Sequence, residues 1–314
     1  MKAVVYNKKS LPDKLIYCEV DKPVPKDNEV LIRVYAVSAN AADYRSMKMG
    51  LIPKRKIFGA DIAGCVEAVG KDINQFRPGD EVMGDLANFG FGGFAEYVTA
   101  PEKALIIKPG KILFEEAAAL PLAALTALQA LRDKGNIQIG QKVLIAGSSG
   151  GVGTFAIQLA KYFGAEVTAV CSSKNIAQST SLGADHVIDY TKGDFTKSNS
   201  FYDIILAING NYQLSAYKRL LKPHGIYVMV GGALSQIFKS LLFGWLMSFG
   251  SKKMKHLTAK SNKNDLEFIA KLVADGRIRP VIEKRYPLDK TADAMHYLSE
   301  GHASGKVVIN VKGK

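Results

Sequence analysis

The sequence predicts an α/β protein in which a β-barrel-like domain precedes a doubly wound parallel sheet. Three observations predict it. Short β-rich runs separated by Gly and Pro occupy the chain as far as Phe114. From Lys142 onward, apolar strands alternate with helical patterns in a βαβαβ succession. The first of those strands, Val143–Ala146, runs into a glycine-rich turn that opens a helix.

Taken in order, Lys2–Tyr6, Leu15–Glu19 and Glu29–Tyr35 alternate or are β-rich, with Pro23, Pro25 and Asp27–Asn28 as punctuation. Further strands are expected at Ala63–Val69, Glu81–Met83, Gly93–Val98 and Leu105–Lys108. Turns fall at Arg77-Pro78-Gly79-Asp80 and Lys108-Pro109-Gly110. Glu115–Leu131 is rich in Ala and Leu and reads as one or two helices. Strand Val143–Ala146 leads to helix Val152–Phe163, strand Glu166–Val170 to helix Ile176–Leu182, and Val187–Ile188 follows. Strand Asp203–Ile208, helix Tyr212–Leu221 and strand Gly225–Val230 complete the sheet. Helix Asp265–Ala274, the segment Arg279–Tyr286, a helix near Thr291–Ser299 and strand Lys306–Val311 form the end of the chain. The expected division is a first domain over 1–118, a nucleotide-binding domain over 119–263, and a return to the first domain over 264–314.

A chain of 314 residues with 47% hydrophobic content suits two medium domains. Neither a basic-then-apolar leader nor an apolar run of roughly 20 residues is visible, so the expected location is the cytoplasm. Cys18, Cys65 and Cys171 are odd in number and far apart, which argues against a disulfide framework. The formal net charge of +13 suits an anionic ligand, an anionic surface or an ordinary basic protein. Nucleic acid is disfavoured, because no dense Lys/Arg block or RNA-binding motif occurs.

The chemistry is concentrated in Gly147-Ser-Ser-Gly150-Gly151-Val-Gly153. Gly150 lets the backbone approach a pyrophosphate, Gly153 lets the helix pack on the strand, and the helix start favours negative charge. Ser148 stands where the first glycine of G-x-G-x-x-G is usual. The second strand ends in Val170-Cys171-Ser172-Ser173-Lys174-Asn175, without the Asp or Glu that NAD sites place roughly 20 residues on. Two hydroxyls and a lysine suit a 2′-phosphate, so NADPH is the expected cofactor. No metal is expected, because His186, His224, His256, His296 and His302 are scattered and pair with no cysteine at ligand spacing.

Together these features resemble the zinc-independent quinone oxidoreductase branch of the medium-chain dehydrogenase/reductase family, over essentially the whole chain. The resemblance rests on Ser38-Ala-Asn40-Ala-Ala-Asp43-Tyr44, Gly59-Ala-Asp61-Ile-Ala-Gly64-Cys-Val66, Arg77-Pro-Gly-Asp-Glu-Val82 and Gly92-Gly93-Phe-Ala-Glu96-Tyr97. It extends to Leu120-Pro121 with Thr126-Ala127, the glycine turn, Leu182-Gly-Ala-Asp185 and Gly305-Lys306-Val307-Val308. Val170-Cys-Ser172 and Asn264-Asp-Leu-Glu-Phe-Ile are similar to the reticulon-interacting and chloroplast-envelope subgroup. The resemblance implies a GroES-like catalytic domain with a Rossmann domain. In zinc-dependent relatives, the segments matching Asn40–Asp43 and Gly59–Asp61 carry a ligand Cys and a ligand His, and here they carry neither. By the same resemblance Ser149, Gly151 and Val152 line the pyrophosphate, and Ser172, Lys174 and Tyr190 surround the 2′-phosphate, with Ser173 beside them. Asn40, Thr126 and the Gly231-Gly232 turn sit by the nicotinamide, with Lys306 near the cleft. Relatives in this branch commonly form homodimers.

The implied reaction is hydride transfer from NADPH to a quinone or an α,β-unsaturated carbonyl. Asn40 and Tyr44 are the expected donors to the developing enolate. Two alternatives stay open: an enoyl or alkenal reductase with the same cofactor site, and a non-catalytic NADPH-binding protein that contacts RNA or a partner. The segment 237–255, apolar from Ile237 to Phe249 and ending in Lys252, Lys253 and Lys255, reads as a lid or subunit contact. Its sharper alternative is an interfacial helix that touches anionic lipid.

Overall fold

Alternation and turn chemistry set the elements of both halves of the chain. The computed structural model describes residues 1–7, 15–53, 55–209, 212–231, 248 and 250–311. It divides into one unit of Met1–Leu125 with Ser261–Lys314 and another of Thr126–Lys260. In chain order the elements are β1 (Lys2–Tyr6), β2 (Leu15–Glu19), β3 (Glu29–Ala39), α1 (Ala41–Lys48), β4 (Asp61–Val69), β5 (Glu81–Asp85), β6 (Tyr97–Pro101), β7 (Leu105–Ile107), α2 (Phe114–Ala118) and α3 (Pro121–Gln129). There follow β8 (Lys142–Ala146), α4 (Gly151–Tyr162), β9 (Glu166–Cys171), α5 (Ile176–Ser181), β10 (His186–Asp189), β11 (Tyr202–Ala207), α6 (Leu214–Arg219), β12 (Leu221–Met229) and β13 (Lys253–His256). The chain closes with α7 (Lys263–Ala274), β14 (Ile282–Pro287), α8 (Thr291–Ser299) and β15 (Lys306–Asn310).

In the first unit a mixed sheet runs β14-β15-β3-β4-β5-β7 among the described residues, with β6 on the first half of β3. The last strand of the chain therefore lies beside one of the first, Val307 opposite Ala39. The core under this sheet includes Phe58 and Phe94, both fully buried, with the Tyr6 ring edge-on to Phe58 at 5.4 Å. The unit begins its return at Ser261 rather than 264, because the Ser261 side chain bonds Asp85 and Lys263 Nζ donates to Gln75. At the other boundary Leu122 N donates to Asp61 Oδ1 at 3.1 Å, which carries the first unit past residue 118 into α3.

The second unit is a parallel sheet in the order β10-β9-β8-β11-β12-β13. The order reverses between β8 and β11, and that switch point opens a crevice at the carboxyl edge. Helix α4 lies against β8 and β9 with Phe155, Ala156 and Leu159 fully buried.

Two details differ from the sequence reading, one choice it left open is decided, and one expectation falls largely outside the described residues. The strand expected at Gly93–Val98 begins only at Tyr97, because Gly93 N and Phe94 N donate instead to the Gly59 and Phe58 carbonyls. The Ala/Leu-rich stretch splits at Pro121, which lacks an N–H and starts a new helix. Helix α1 has no apolar stripe to announce it; the Asp43 carboxylate makes it by accepting from Asn40 N at 2.9 Å. Residues 237–247, Phe249 and Gly232 lie outside the described residues, but the cations after them do not. Lys253 and Lys255 stand on β13, parallel to β12. Lys252 Nζ donates to the Lys218 carbonyl and Lys255 Nζ to that of Lys134, at 3.0 and 2.8 Å. Lys253 and Lys255 thus stand on the edge strand of the sheet, and the apolar run read as a lid, a subunit contact or an interfacial helix lies outside the described residues. No helix among the described residues is long and apolar enough to cross a membrane.

Truncating Phe94 to Ala removes a fully buried ring beneath the mixed sheet. The expected cost is about 3–5 kcal/mol, read as a fall in the urea midpoint at constant slope.

Candidate functional site

Two constellations carry chemistry, one in each unit. In the parallel-sheet unit, β8 ends at Ala146 and the chain turns at Gly147, whose φ of +89° is strained for any residue with a Cβ. Ser148, at the usual glycine position, is fully buried, and its hydroxyl donates to the Val170 carbonyl at 3.1 Å and meets Ser179 Oγ at 3.3 Å. It fits because its side chain turns down toward β9 and α5. Gly150 precedes α4 with no side-chain cap, so the first N–H groups of the helix have no protein acceptor of that kind. A Cβ on Gly153 would stand 2.3 Å from the Gly147 carbonyl oxygen, so only glycine lets α4 rest on the turn. The product is a backbone cradle at a helix start, suited to a phosphate.

The same carboxyl edge gathers most of the expected cofactor residues. Ser149, Gly150, Gly151, Val152 and Gly153 form the cradle, and Ser172, Ser173 and Lys174 follow the end of β9. Tyr190 follows β10, half exposed, its N–H on the Cys171 carbonyl. Gly231 follows β12, where a Cβ would stand 2.7 Å from the Ile208 carbonyl oxygen. Thr126 lies on α3, nearly buried. The sequence reading missed Asp189. The end of β9 carries no carboxylate, but Asp189 on the next strand lies in register with Cys171, and its Oδ2 accepts from Ser173 Oγ at 2.5 Å.

In the mixed-sheet unit the site is a buried polar cluster. Lys306, 3% exposed, donates from Nζ to Asn40 Oδ1 at 2.6 Å and stands 3.6 Å from Asp61 Oδ2. Asn40 Nδ2 donates to Asp61 Oδ2 at 2.9 Å and to the Ser38 carbonyl at 3.2 Å. Asp43 accepts from Asn40 N and Gly59 N. Asp85, also buried, accepts from Ala87 N. Burial raises the carboxyls of Asp43 and Asp61 to about 7, against the pull of Lys306 and their hydrogen bonds. Burial likewise pushes Asp85 up and Lys306 down.

Two of the expected residues have their polar side-chain groups engaged inside this cluster. Both N–H bonds of the Asn40 amide are committed inside the cluster, so Asn40 has no free hydrogen for an enolate. Lys306, expected near the cleft, directs its ammonium to Asn40 and Asp61. Tyr44 differs: half-buried on α1, its hydroxyl has no hydrogen-bond partner among the described residues. The sequence signal for Asp61 is an acid inside an apolar, strand-forming run. All five histidines are exposed, and no group of three or more His, Cys, Asp or Glu among the described residues is arranged to hold a metal ion.

Comparison with known proteins places these features. Residues 26–110 match the alcohol dehydrogenase GroES-like domain and residues 182–309 the zinc-binding dehydrogenase family. A chloroplast envelope quinone oxidoreductase homolog of Arabidopsis thaliana is 36% identical over 94% of this chain and 93% of its own length. A 2-methylene-furan-3-one reductase of Solanum lycopersicum is 34% identical over 99% of this chain and 79% of its own. The solved quinone oxidoreductase of Coxiella burnetii superposes with a TM-score of 0.89 at 30% identity, covering 99% of both chains.

Two outcomes test the buried cluster. Lys306→Met leaves buried carboxylates without their cation and is expected to destabilise the protein by about 3–5 kcal/mol, measured by chemical denaturation. Asp43 titrates at about 7 when folded and at about 4 when unfolded. Its contribution to stability is therefore full below about pH 4 and is lost as pH rises through about 7. The urea midpoint should carry that fall, and Asp43→Asn should flatten it.

Proposed function

This chain belongs to the quinone-oxidoreductase branch of the medium-chain dehydrogenase/reductase family, and from that premise we propose that it is an NADPH-dependent, zinc-free reductase of quinones or α,β-unsaturated carbonyls. The observation that carries the reading is the phosphate cradle of Gly147–Gly153 at the sheet's switch point, with Ser172 and Lys174 on the neighbouring strand end. A nicotinamide dinucleotide suits that site, because the start of α4 has no side-chain cap and can offer its N–H groups to a pyrophosphate, while Gly153 lets the helix begin directly on the turn. When bound, the reduced nicotinamide supplies the hydride. The cradle's N–H groups hold the pyrophosphate, and Lys174 favours a 2′-phosphate over a 2′-hydroxyl.

A zinc ion does not fit the donor set. The segments at Asn40–Asp43 and Gly59–Asp61 offer amide and carboxylate groups, and the Lys306 ammonium already occupies the space between Asn40 and Asp61. Quinones and conjugated enones suit such a site, since the arriving charge is delocalised onto a distant oxygen. The protein then has to hold donor and acceptor in near-attack geometry. With the Asn40 amide committed, Tyr44 is the side chain left to donate to the developing enolate, with solvent supplying the proton. A cytoplasmic homodimer is part of the same proposal and rests on the sequence reading.

The test is cofactor oxidation by the purified protein, NADPH against NADH, over a panel of ortho-quinones, para-quinones and conjugated enones. NADPH-dependent turnover is expected, and no turnover on any acceptor would defeat the catalytic reading. Lys174→Ala is expected to raise the KM for NADPH by roughly tenfold, with kcat and the KM for NADH within about twofold.

A further inference from the structure

The parallel pairing of β10 with β9 brings Asp189 level with Cys171, and so to the strand end where Ser172, Ser173 and Lys174 begin. Three hydrogen bonds from side chains and backbone hold its carboxylate there. Ser173 Oγ donates to Oδ2 at 2.5 Å, and Thr191 N and Thr191 Oγ1 donate to Oδ1 at 2.9 and 2.7 Å. The two hydroxyls also touch each other at 3.0 Å. Each hydroxyl has one hydrogen, and each gives it to Asp189. The hydrogen bonds from Ser173 and then Thr191 hold the Asp189 carboxyl below its ordinary range, so it is ionised at neutral pH.

Two consequences follow. The Ser173 hydroxyl, expected to greet a 2′-phosphate, faces a carboxylate of its own. A fixed negative charge also stands on the edge where that phosphate would lie. We propose that Asp189, braced by Ser173 and Thr191, is the residue that limits this site's preference for a 2′-phosphate over a 2′-hydroxyl. The inference rests on the reading that a nicotinamide dinucleotide binds at this edge. Because the edge is solvated and screened, the effect is several-fold and not orders of magnitude.

The experiment is calorimetric titration of the intact protein with 2′,5′-ADP and with 5′-AMP, for the parent, Asp189→Asn and Asp189→Glu. Asn at this position keeps an oxygen to accept from Ser173 or Thr191, and Glu keeps the charge. Asp189→Asn is expected to tighten 2′,5′-ADP by roughly three- to tenfold while 5′-AMP changes less than about twofold. The gain should shrink between about 50 and 500 mM salt, and Asp189→Glu should behave as the parent. The same ratio should appear in the KM values for NADPH and NADH. An unchanged 2′,5′-ADP affinity, or an equal shift for both nucleotides, would overturn the role of Asp189. If none of the three proteins bound either nucleotide, the cofactor reading and this inference would fall together. Nucleotide binding in the expected ratio without turnover on any acceptor would remove the catalytic reading and leave this one standing.

Discussion

The burial of the Lys306 ammonium is the constraint on which the first unit depends. An ammonium inside a protein is tolerated only where carboxylates and hydrogen-bond acceptors meet it. Those partners come from strand register. Val307 pairs with Ala39, and Ser38 pairs with Asp61, so three adjacent strands carry Lys306, Asn40 and Asp61 to one place. The Lys306–Asn40 bond joins residues 266 positions apart. A one-residue slip of β15 would move Lys306 to the opposite face of the sheet and leave Asp61 without its cation. The return of the chain's end to its first sheet is thus enforced by charge as well as by the apolar partners Val307 and Ile309.

The parallel-sheet unit solves the opposite problem. At its carboxyl edge the start of α4 carries no side-chain cap. Gly147 bends the chain sharply and Gly153 lets α4 start directly on that bend, so the helix begins with donors that no cap side chain claims. Ser148 could replace a glycine because its hydroxyl found two buried partners beneath the turn. One residue type was exchanged for another without closing the cradle.

These differences explain what the sequence disclosed. The strands and helices of the parallel sheet were legible because period and turn chemistry are local, and the glycine turn was legible because its function requires particular residue types. Helix α1 was not, since Ala41–Lys48 lacks an apolar stripe and is held by a single carboxylate at its start. Nor was β13, whose Lys255 looks like part of a solvated run until its distant partner, the Lys134 carbonyl, is known. The partners of Asn40 are hidden from the sequence for a related reason. Whether an amide hydrogen is free depends on Asp61 and Ser38, and only one of these lies nearby in the sequence. Asp189 was not legible at the end of β9, which carries no carboxylate, because parallel pairing delivers it from β10.

Charge acts in this protein with two different strengths, and the difference assigns the roles. Around Lys306, water is excluded, so each uncompensated charge is worth kilocalories and acts on folding. At the β9–β10 edge the carboxylate of Asp189 stands in solvent, where the same unit charge is worth a few-fold in binding and acts on choice of ligand. The reductase proposed above has both. The buried set holds the sheet and α1 rigid around a committed Asn40, leaving the acceptor to delocalise its own charge. The exposed set can change by one residue without touching that frame. Selection can therefore retune the cofactor edge while the cluster of Lys306, Asn40 and Asp61 stays as it is.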